Sequence, residues 1–180
     1  MTLNSDDAAG PVRRTVSIDP TASAALDAKA DHLGIPIAEY LAMVLEAKAA
    51  DLLAEQKESL KVAEQLRAAN QTKAEAAAIS RDLKEERGVE RDHTLKVFQT
   101  IREQHSDLYR QAIGCETDRD AGDPKKRHAL NLALGSISKR AAKAKVRLRP
   151  NGLPEKIRNI QGEFCASVTV LEPGDEVDDN

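Results

Sequence analysis

The sequence predicts a mainly α-helical protein with an N-terminal strand-helix-helix unit, a long helical or coiled-coil middle, and a small basic helical or α+β module at the end. Two observations support this prediction. Hydrophobic residues make up 41% of the 180 residues but aromatic residues only 2%, so the apolar side chains are almost all aliphatic, a composition that suits helices. The segment from Ile37 to Arg87 contains no Gly or Pro and is rich in Ala, Glu, Lys, Leu and Gln, which are strong helix formers.

Hydropathy, the N-terminal segment and the cysteines exclude several classes of protein. The longest uncharged run, 128–138, has 11 residues, well short of the roughly 20 that a membrane-spanning helix requires. Residues 1–10 are polar and acidic and lack the basic and apolar regions of a secretory signal, so we expect a cytoplasmic protein. Cys115 and Cys165 are far apart in the chain, and we expect both to be free thiols in a reducing compartment.

The formal net charge of -3 conceals a strongly basic segment. Residues 121–160 contain 11 Lys and Arg residues against only Asp123 and Glu155, a net charge of +9. A local positive field of this size attracts polyanions, and nucleic acid is the first candidate. Residues 161–180 contain 6 acidic residues and no Lys or Arg. We expect the acidic end, 172–180, to be a solvated tail or an intramolecular competitor for the basic segment.

The residues before position 19 alternate between two kinds of side chain. In an extended chain Val16 and Ile18 point to one side, and Arg13, Thr15 and Ser17 to the other, as in a half-buried strand. A lone strand leaves its backbone N–H and C=O groups without partners along its edges. We therefore expect a second copy of the chain to pair with this segment.

Two helices should follow this strand. Asp19-Pro20 supplies a side-chain acceptor and then a fixed φ, which predicts the start of a helix near 13 residues long. Gly34 predicts its end, because glycine accepts the positive φ that closes many helices. Pro36 restarts the chain, and the second helix has apolar residues at helical spacing: Ile37, Leu41, Val44, Leu45 and Leu52.

Residues 12–53 resemble the ribbon-helix-helix (MetJ/Arc-type) family of bacterial DNA-binding proteins. The resemblance rests on RRTVSIDP at 13–20, LDAKADHLG at 26–34 and IPIAEYL at 35–41. In that family two chains pair their strands into an antiparallel ribbon, and the ribbon enters the major groove with alternate side chains on the base edges. The resemblance therefore implies a dimeric β-α-α unit.

The resemblance also implies roles for individual residues. The base-reading side chains would be those of Arg13, Thr15 and Ser17, since Arg binds guanine in a bidentate manner and Thr and Ser donate or accept. The N-terminus of the second helix, at Ile37 and Ala38, would hold a DNA phosphate through backbone N–H groups. We expect further backbone contacts from basic residues: Arg14, Lys125, Lys126, Arg127, Lys139, Arg140, Lys143, Lys145, Arg147 and Arg149.

The middle of the chain, 54–113, is predicted to be a helical spacer or coiled coil. One continuous helix over 36–87 would extend about 78 Å and would need a partner along its length. Its heptad pattern shifts near 55–62, a stutter instead of a regular zipper. Gly88 predicts a break, and a further helix from about 91 to 113 would either fold back or continue the rod. We expect Phe98 to lie in the core of this part.

The C-terminal module is predicted over 114–171. Pro124 should begin a helix and Pro150-Asn151-Gly152 should form a turn. A short helix near 154–160 and a strand near 163–171 would complete the module. Because the chain has so few aromatic residues, a base-stacking surface for single strands is not expected, and contact with the backbone of a duplex fits better.

The sequence therefore predicts a homodimeric, sequence-specific double-stranded DNA-binding protein that represses transcription by occluding a promoter. A disordered arm would precede it over 1–11. Two alternatives are an accessory DNA-binding protein of a plasmid relaxosome or partition complex, and an antitoxin-like or scaffold protein with a C-terminal protein-binding region. The chain contains no GxGxxG, GxxxxGK[ST], HExxH or paired CxxC motif, and we predict no enzymatic activity, no cofactor and no metal site.

Overall fold

The computed structural model describes residues 18–55, 59–117 and 120–174. This part of the chain is mainly helical with a few short strands, which confirms the predicted fold class at that level. Its helices are α1 (Pro20–Leu33), α2 (Ile37–Ala54), α3 (Leu60–Arg87), α4 (His93–Gln104), α5 (Ser106–Ala112) and α6 (Pro124–Ala141). Its strands are β1 (Ala144–Val146), β2 (Lys156–Arg158), β3 (Ser167–Thr169) and β4 (Leu171–Pro173).

The predicted ends of α1 are confirmed. The Asp19 carboxylate accepts hydrogen bonds from the backbone N–H groups of Thr21 at 2.9 Å and Ala22 at 3.4 Å. Gly34 closes the helix with a φ of 69°. The predicted strand before α1 lies outside the described residues except for Ile18, which is 39% exposed. The predicted arm, 1–11, lies outside them as well.

A continuous helix over 36–87 is wrong, because α2 and α3 fold back on each other. Lys73 forms ion pairs with Glu39 at 3.1 Å and Glu46 at 3.4 Å, and Arg67 pairs with Asp51 at 2.9 Å. Asp51, late in α2, thus faces Arg67, early in α3, while Glu39, early in α2, faces the later Lys73, so the two helices are antiparallel. The reversal falls where the heptad pattern shifts. The alanine-rich faces of both helices allow them to pack closely, so α3 covers the face of α2 that a second chain was expected to cover.

The segment after Gly88 also folds back along α3. Gly88 ends α3 with a φ of 71°, so the predicted break is confirmed. His93 then lies beside Ser80, and His105 lies 3.8 Å from Glu75, so α4 and α5 run antiparallel to α3. The single helix predicted over 91–113 is interrupted at His105.

The C-terminal residues form two separate two-stranded antiparallel sheets, with β1 paired to β4 and β2 paired to β3. The helix predicted near 154–160 is wrong, since this segment contains β2. Lys156 and Arg158 are exposed and Ile157 between them is half-buried, a period of two that belongs to a strand. The single strand predicted over 163–171 is divided between β3 and β4.

One hydrophobic core contains residues from all three of the predicted segments 12–53, 54–113 and 114–171. Its members come from the α1–α2 turn, every helix from α3 to α6, and β3, and include Ile35, Phe98, Tyr109, Leu134 and Val168. The predicted boundaries at 53 and 113 therefore do not separate independent cores, although Phe98 is buried as predicted. The predicted acidic tail, 172–180, begins inside β4. No helix in the described ranges is both long and apolar enough to cross a bilayer.

A buried polar link ties α3, α4 and α6 together. The Ser80 hydroxyl donates to the carbonyl of Ser138 at 2.7 Å, and Nε2 of His93 lies 2.8 Å from the same hydroxyl oxygen. Because the only hydroxyl proton is used on Ser138, we assign Nε2 of His93 as the donor of the second bond. Burial lowers the pKa of His93 below its ordinary value, while the nearby Asp92 and Glu90 carboxylates oppose that shift.

This link predicts a loss of stability in mild acid. A histidine whose pKa is lowered by folding stabilises the protein fully above its unfolded pKa of 6.5, and that contribution falls as the pH drops, because the unfolded chain takes up a proton that the buried imidazole refuses. The free energy of unfolding should decrease by up to about 1.4 kcal/mol per pH unit below 6.5. Urea unfolding between pH 7.5 and 5.5 measures the slope.

His93→Gln keeps an N–H donor but cannot titrate, so this variant should lose that part of the slope. The exposed His32 provides the matched control, and His32→Gln should keep the slope of the wild type. Parallel pH profiles for the wild type and His93→Gln would contradict the assignment.

Candidate nucleic-acid interface

A groove of about 640 Å³ lies between the α1–α2 turn and the C-terminal end of α6. The last turn of α1 contributes Asp31 to its walls, and the α1–α2 turn contributes Gly34 and Pro36. The other walls are dominated by basic side chains from α3, from the end of α6 and from the residues just after it: Arg81, Lys139, Arg140 and Lys143. With one carboxylate against four cations, the groove has a positive electrostatic potential that suits an anion.

The groove exists because α6 and the turn approach each other very closely. A Cβ atom on Gly34 would lie 2.7 Å from Cα of Ala141 and 3.1 Å from its Cβ. Gly34 also has the positive φ that side chains disfavour. Glycine is thus required here both for the turn itself and for the contact with α6.

The N-terminus of α2 opens beside this groove. Pro36 precedes the helix and lines the groove, and it provides no side-chain hydrogen bond to the first turn. The first backbone N–H groups of a helix have no partner within the helix, so those of Ile37 and Ala38 remain donors for an external acceptor. Together with the positive end of the helix dipole, they form the type of site that binds phosphate.

Arg81 belongs to the groove although sequence reasoning did not select it. Its guanidinium donates to the carbonyl oxygens of Leu33 at 2.7 Å and His32 at 3.4 Å, which are the last carbonyls of α1. These bonds complement the negative end of the α1 dipole and fix the charge at the wall of the groove. No local pattern marks Arg81, because its partner Leu33 is 48 positions away.

Three predicted backbone-contacting side chains, Lys139, Arg140 and Lys143, meet at the groove, and all three are exposed. Arg140 lies 3.4 Å from the Asp31 carboxylate. Lys139 and Lys143 form no ion pair with any residue that the structure describes. Their charges are therefore available to a phosphate.

The other predicted backbone-contacting residues of the basic segment lie elsewhere. Lys125, Lys126 and Arg127 stand at the opposite end of α6, about 20 Å away along the helix axis. Lys126 donates to the Gln65 side chain. The remaining three belong to β1 and to the hairpin that follows it: Lys145, Arg147 and Arg149. The structure thus divides the basic segment into separate clusters.

The predicted base-reading residues Arg13, Thr15 and Ser17, and the predicted backbone contact Arg14, lie outside the described residues. What the structure does describe is the apolar face predicted for α2. One face of α2 packs on α3, whereas Val44, Leu45 and Leu52 are 41%, 64% and 54% exposed. A single chain therefore leaves an apolar stripe of α2 in contact with solvent.

A larger cavity of about 910 Å³ shares Ser136 and Lys139 with the groove but has a different character. Its walls include Phe98, Phe164 and the Glu163 carboxylate, whose side chain is only 3% exposed and pairs with Arg102 at 2.9 Å. Burial raises the pKa of Cys165, which also lines the cavity, to about 11, so this thiol is neutral at pH 7. Because the larger cavity has a buried carboxylate and aromatic walls, it suits a polyanion less well than the basic groove does.

Comparison with protein-family models, with curated proteins and with solved structures finds no match for this chain. The interpretation of the groove therefore rests on its own geometry and charge. Within the described part of the chain, no three His, Cys, Asp or Glu side chains converge as a set of metal ligands.

The close contact between Gly34 and Ala141 predicts the cost of a single methyl group. Gly34→Ala should lose about 1 to 2 kcal/mol of unfolding free energy for the left-handed backbone alone, and more because the new Cβ overlaps Ala141. Gly152 is the matched control, since its φ is also positive and nothing lies within 4 Å of an added Cβ. Gly152→Ala should show only the backbone cost. Equal losses in urea unfolding would mean that the contact at Ala141 relaxes freely.

Proposed function

We propose that this protein is a homodimeric, sequence-specific double-stranded DNA-binding protein that represses transcription. The observation that supports the proposal is the groove in which an uncapped helix N-terminus adjoins Lys139, Arg140 and Lys143. Backbone N–H donors combined with nearby cations are a common arrangement for contacts with DNA phosphates. The groove is thus the proposed site of a phosphate contact.

The groove adds positive charge beside N-terminal residues that carry little of their own. Residues 1–50 carry 4 basic and 7 acidic residues, which is a poor composition for a DNA-binding face. The second helix also begins with Pro36 and Ala38, whereas the resembled family usually has a hydroxyl side chain there. In the proposal, α6 and Arg81 supply the positive charge beside the helix N-terminus that the N-terminal unit lacks.

The exposed face of α2 supports the dimer. Val44, Leu45 and Leu52 lie on one side of the helix, and large apolar side chains grouped in this way favour burial against another protein surface. A second copy that paired its N-terminal strand with the first would approach from the side of Ile18, which is exposed as well. The two contacts together would cover both the strand edge and the stripe.

Repression by occlusion of a promoter requires only tight binding at a defined sequence, so the proposal needs no cofactor. An accessory role in DNA transfer or partition relied on a long spacer that would present a distant basic module. The antiparallel packing of α2 and α3 removes that support. We therefore keep repression as the proposed function.

The proposal is tested with a duplex that the wild-type protein selects from a random-sequence pool. Lys139→Gln combined with Lys143→Gln should lower the slope of log K against log salt by about 2, since each lost phosphate contact removes about 0.9. Lys125→Gln combined with Lys126→Gln is the matched control, because it also removes two positive charges but at the opposite end of α6, and it should keep more of the slope. Equal slopes for both double variants would contradict a phosphate contact in the groove.

Arg13→Ala separates base reading from phosphate contact in the same assay. Loss of a bidentate guanine contact should reduce discrimination between the selected and a scrambled duplex by about 1 to 3 kcal/mol, with little change in the salt slope. Selection that enriches no sequence, although duplexes still bind, would contradict the sequence-specific part of the proposal.

A further inference from the structure

The acidic segment 175–180 lies outside the described residues, but the structure fixes the point at which it leaves the fold. β4 pairs antiparallel with β1, with Val146 opposite Leu171 and Ala144 opposite Pro173. The later residues of β4 therefore lie beside the earlier residues of β1, and the chain leaves β4 in the direction of the end of α6. The acidic segment thus begins beside the residues that join α6 to β1.

Gly174 packs directly against the wall of the groove. A Cβ atom on Gly174 would lie 2.3 Å from the carbonyl oxygen of Lys143 and 3.9 Å from Cα of Ala144. Lys143 and Ala144 both line the groove between the α1–α2 turn and the end of α6. The first acidic residue of the segment, Asp175, therefore follows a glycine whose backbone contacts the groove wall.

The acidic segment and the groove have opposite charges. The groove has four basic side chains against one carboxylate, Asp31, which lies 3.4 Å from Arg140. Lys139 and Lys143 form no ion pair with any residue in the described ranges. The segment contains four carboxylates and no Lys or Arg: Asp175, Glu176, Asp178 and Asp179. Opposite charges held this close attract each other within the Debye length of about 8 Å at physiological salt.

The reach and direction of the acidic segment select the groove among the basic clusters. Six residues span at most about 20 Å in an extended chain. The groove is within this reach, because Lys139 lies in the last turn of α6. Lys125 lies at the other end of α6, whose 18 residues extend about 27 Å. Arg147 and Arg149 lie in the opposite direction, beyond the end of β1 from which the acidic segment departs.

We infer that the acidic segment 175–180 docks in the groove of its own chain and competes there with a DNA phosphate. The competition rests on the proposed function, whereas the docking itself does not. Because the segment is joined to the groove wall at Gly174, it acts at an effective concentration on the order of millimolar. Exposed ion pairs are individually weak, so a duplex that makes several contacts displaces the segment. The segment therefore lowers the affinity for DNA without abolishing binding.

Carbodiimide crosslinking tests the docking without DNA. The reagent joins a carboxylate to a lysine amine that lies in contact with it, and mass spectrometry identifies the linked pair. Crosslinks should join the acidic segment to Lys139 and should decrease as the salt concentration rises from about 0.05 to 0.5 M. Lys139 decides the result, because Lys143 already lies beside Gly174. Lys125 is the matched control, since it belongs to the same helix but lies beyond the reach of the segment.

Isotope labelling shows which chain supplies the docked segment. Labelled and unlabelled proteins are dissociated in urea, refolded together and then crosslinked. Crosslinks to Lys139 that stay within one chain support the inference. Crosslinks that join a labelled to an unlabelled chain overturn it and assign the segment to a second copy. Crosslinks confined to Lys143, or as frequent at Lys125 as at Lys139, overturn it as well.

Neutralising part of the segment tests the competition. Asp178→Asn combined with Asp179→Asn should raise the affinity for the selected duplex about threefold to tenfold, because two weak ion pairs are lost. In the double lysine variant of the groove the same change should have little effect, since the partners are already absent. Glu55→Gln combined with Glu64→Gln is the matched control. It changes the net charge equally, at the exposed ends of α2 and α3 that lie far from the groove, and should raise the affinity less.

The two experiments separate this inference from the proposed function. Duplex binding without crosslinks to Lys139 overturns the docking and leaves the proposed function standing. Crosslinks to Lys139 in a protein that binds no duplex overturn the proposed function and leave the docking standing. An equal rise in affinity for the neutralised segment and for the control variant overturns the competition, because the rise then follows net charge alone.

Discussion

The contact between Gly34 and Ala141 is the constraint on which the arrangement of charges in this protein depends. It presses the α1–α2 turn against the last turn of α6, and no other residue at position 34 would allow the same approach. As a result, a helix N-terminus from one end of the chain lies beside Lys139 and Lys143, which are more than 100 positions away. Arg81 reinforces the arrangement by bonding to the last carbonyls of α1. Cations that are distant in sequence from α1 and α2 therefore lie next to the turn between these two helices.

Local signals in the sequence predicted local structure well. Asp19-Pro20, Gly34, Pro124 and Pro150-Asn151-Gly152 mark helix starts, a helix end and a turn where the structure has them, because each acts through its own backbone geometry or a neighbouring hydrogen bond. The long rod was wrong for a different reason. An apolar stripe shows which face of a helix is buried, but not whether another chain or another segment of the same chain covers it. Alanine-rich faces fit either partner, and here α3 covers one face of α2.

The candidate site was predicted in part. Lys139, Arg140 and Lys143 were expected to contact DNA because of the net charge of their segment, and Ile37 and Ala38 because of the family resemblance. Nothing in the sequence indicated that the start of α2 lies beside the groove that Lys139, Arg140 and Lys143 line, since the contact that joins these two parts of the chain involves only a glycine and an alanine. The same limit applies to Arg81, whose bonds to α1 depend on tertiary packing. In the function that we propose, the groove would hold a phosphate, the predicted ribbon would read bases, and the stripe on α2 would join two copies.

The central claim is that one duplex lies in the groove between the N-terminus of α2 and the end of α6. Site-specific photo-crosslinking tests it most directly, with a photoreactive residue placed at Ala38 or at Ser136, and at the exposed Ala121 beyond the opposite end of α6 as a control. Crosslinks to the selected duplex should form from Ala38 and Ser136 at neighbouring nucleotides, and position 121 should crosslink elsewhere or not at all. Crosslinks from Ala38 and Ser136 that fall a full helical turn apart, or that occur no more often than from position 121, would contradict the account.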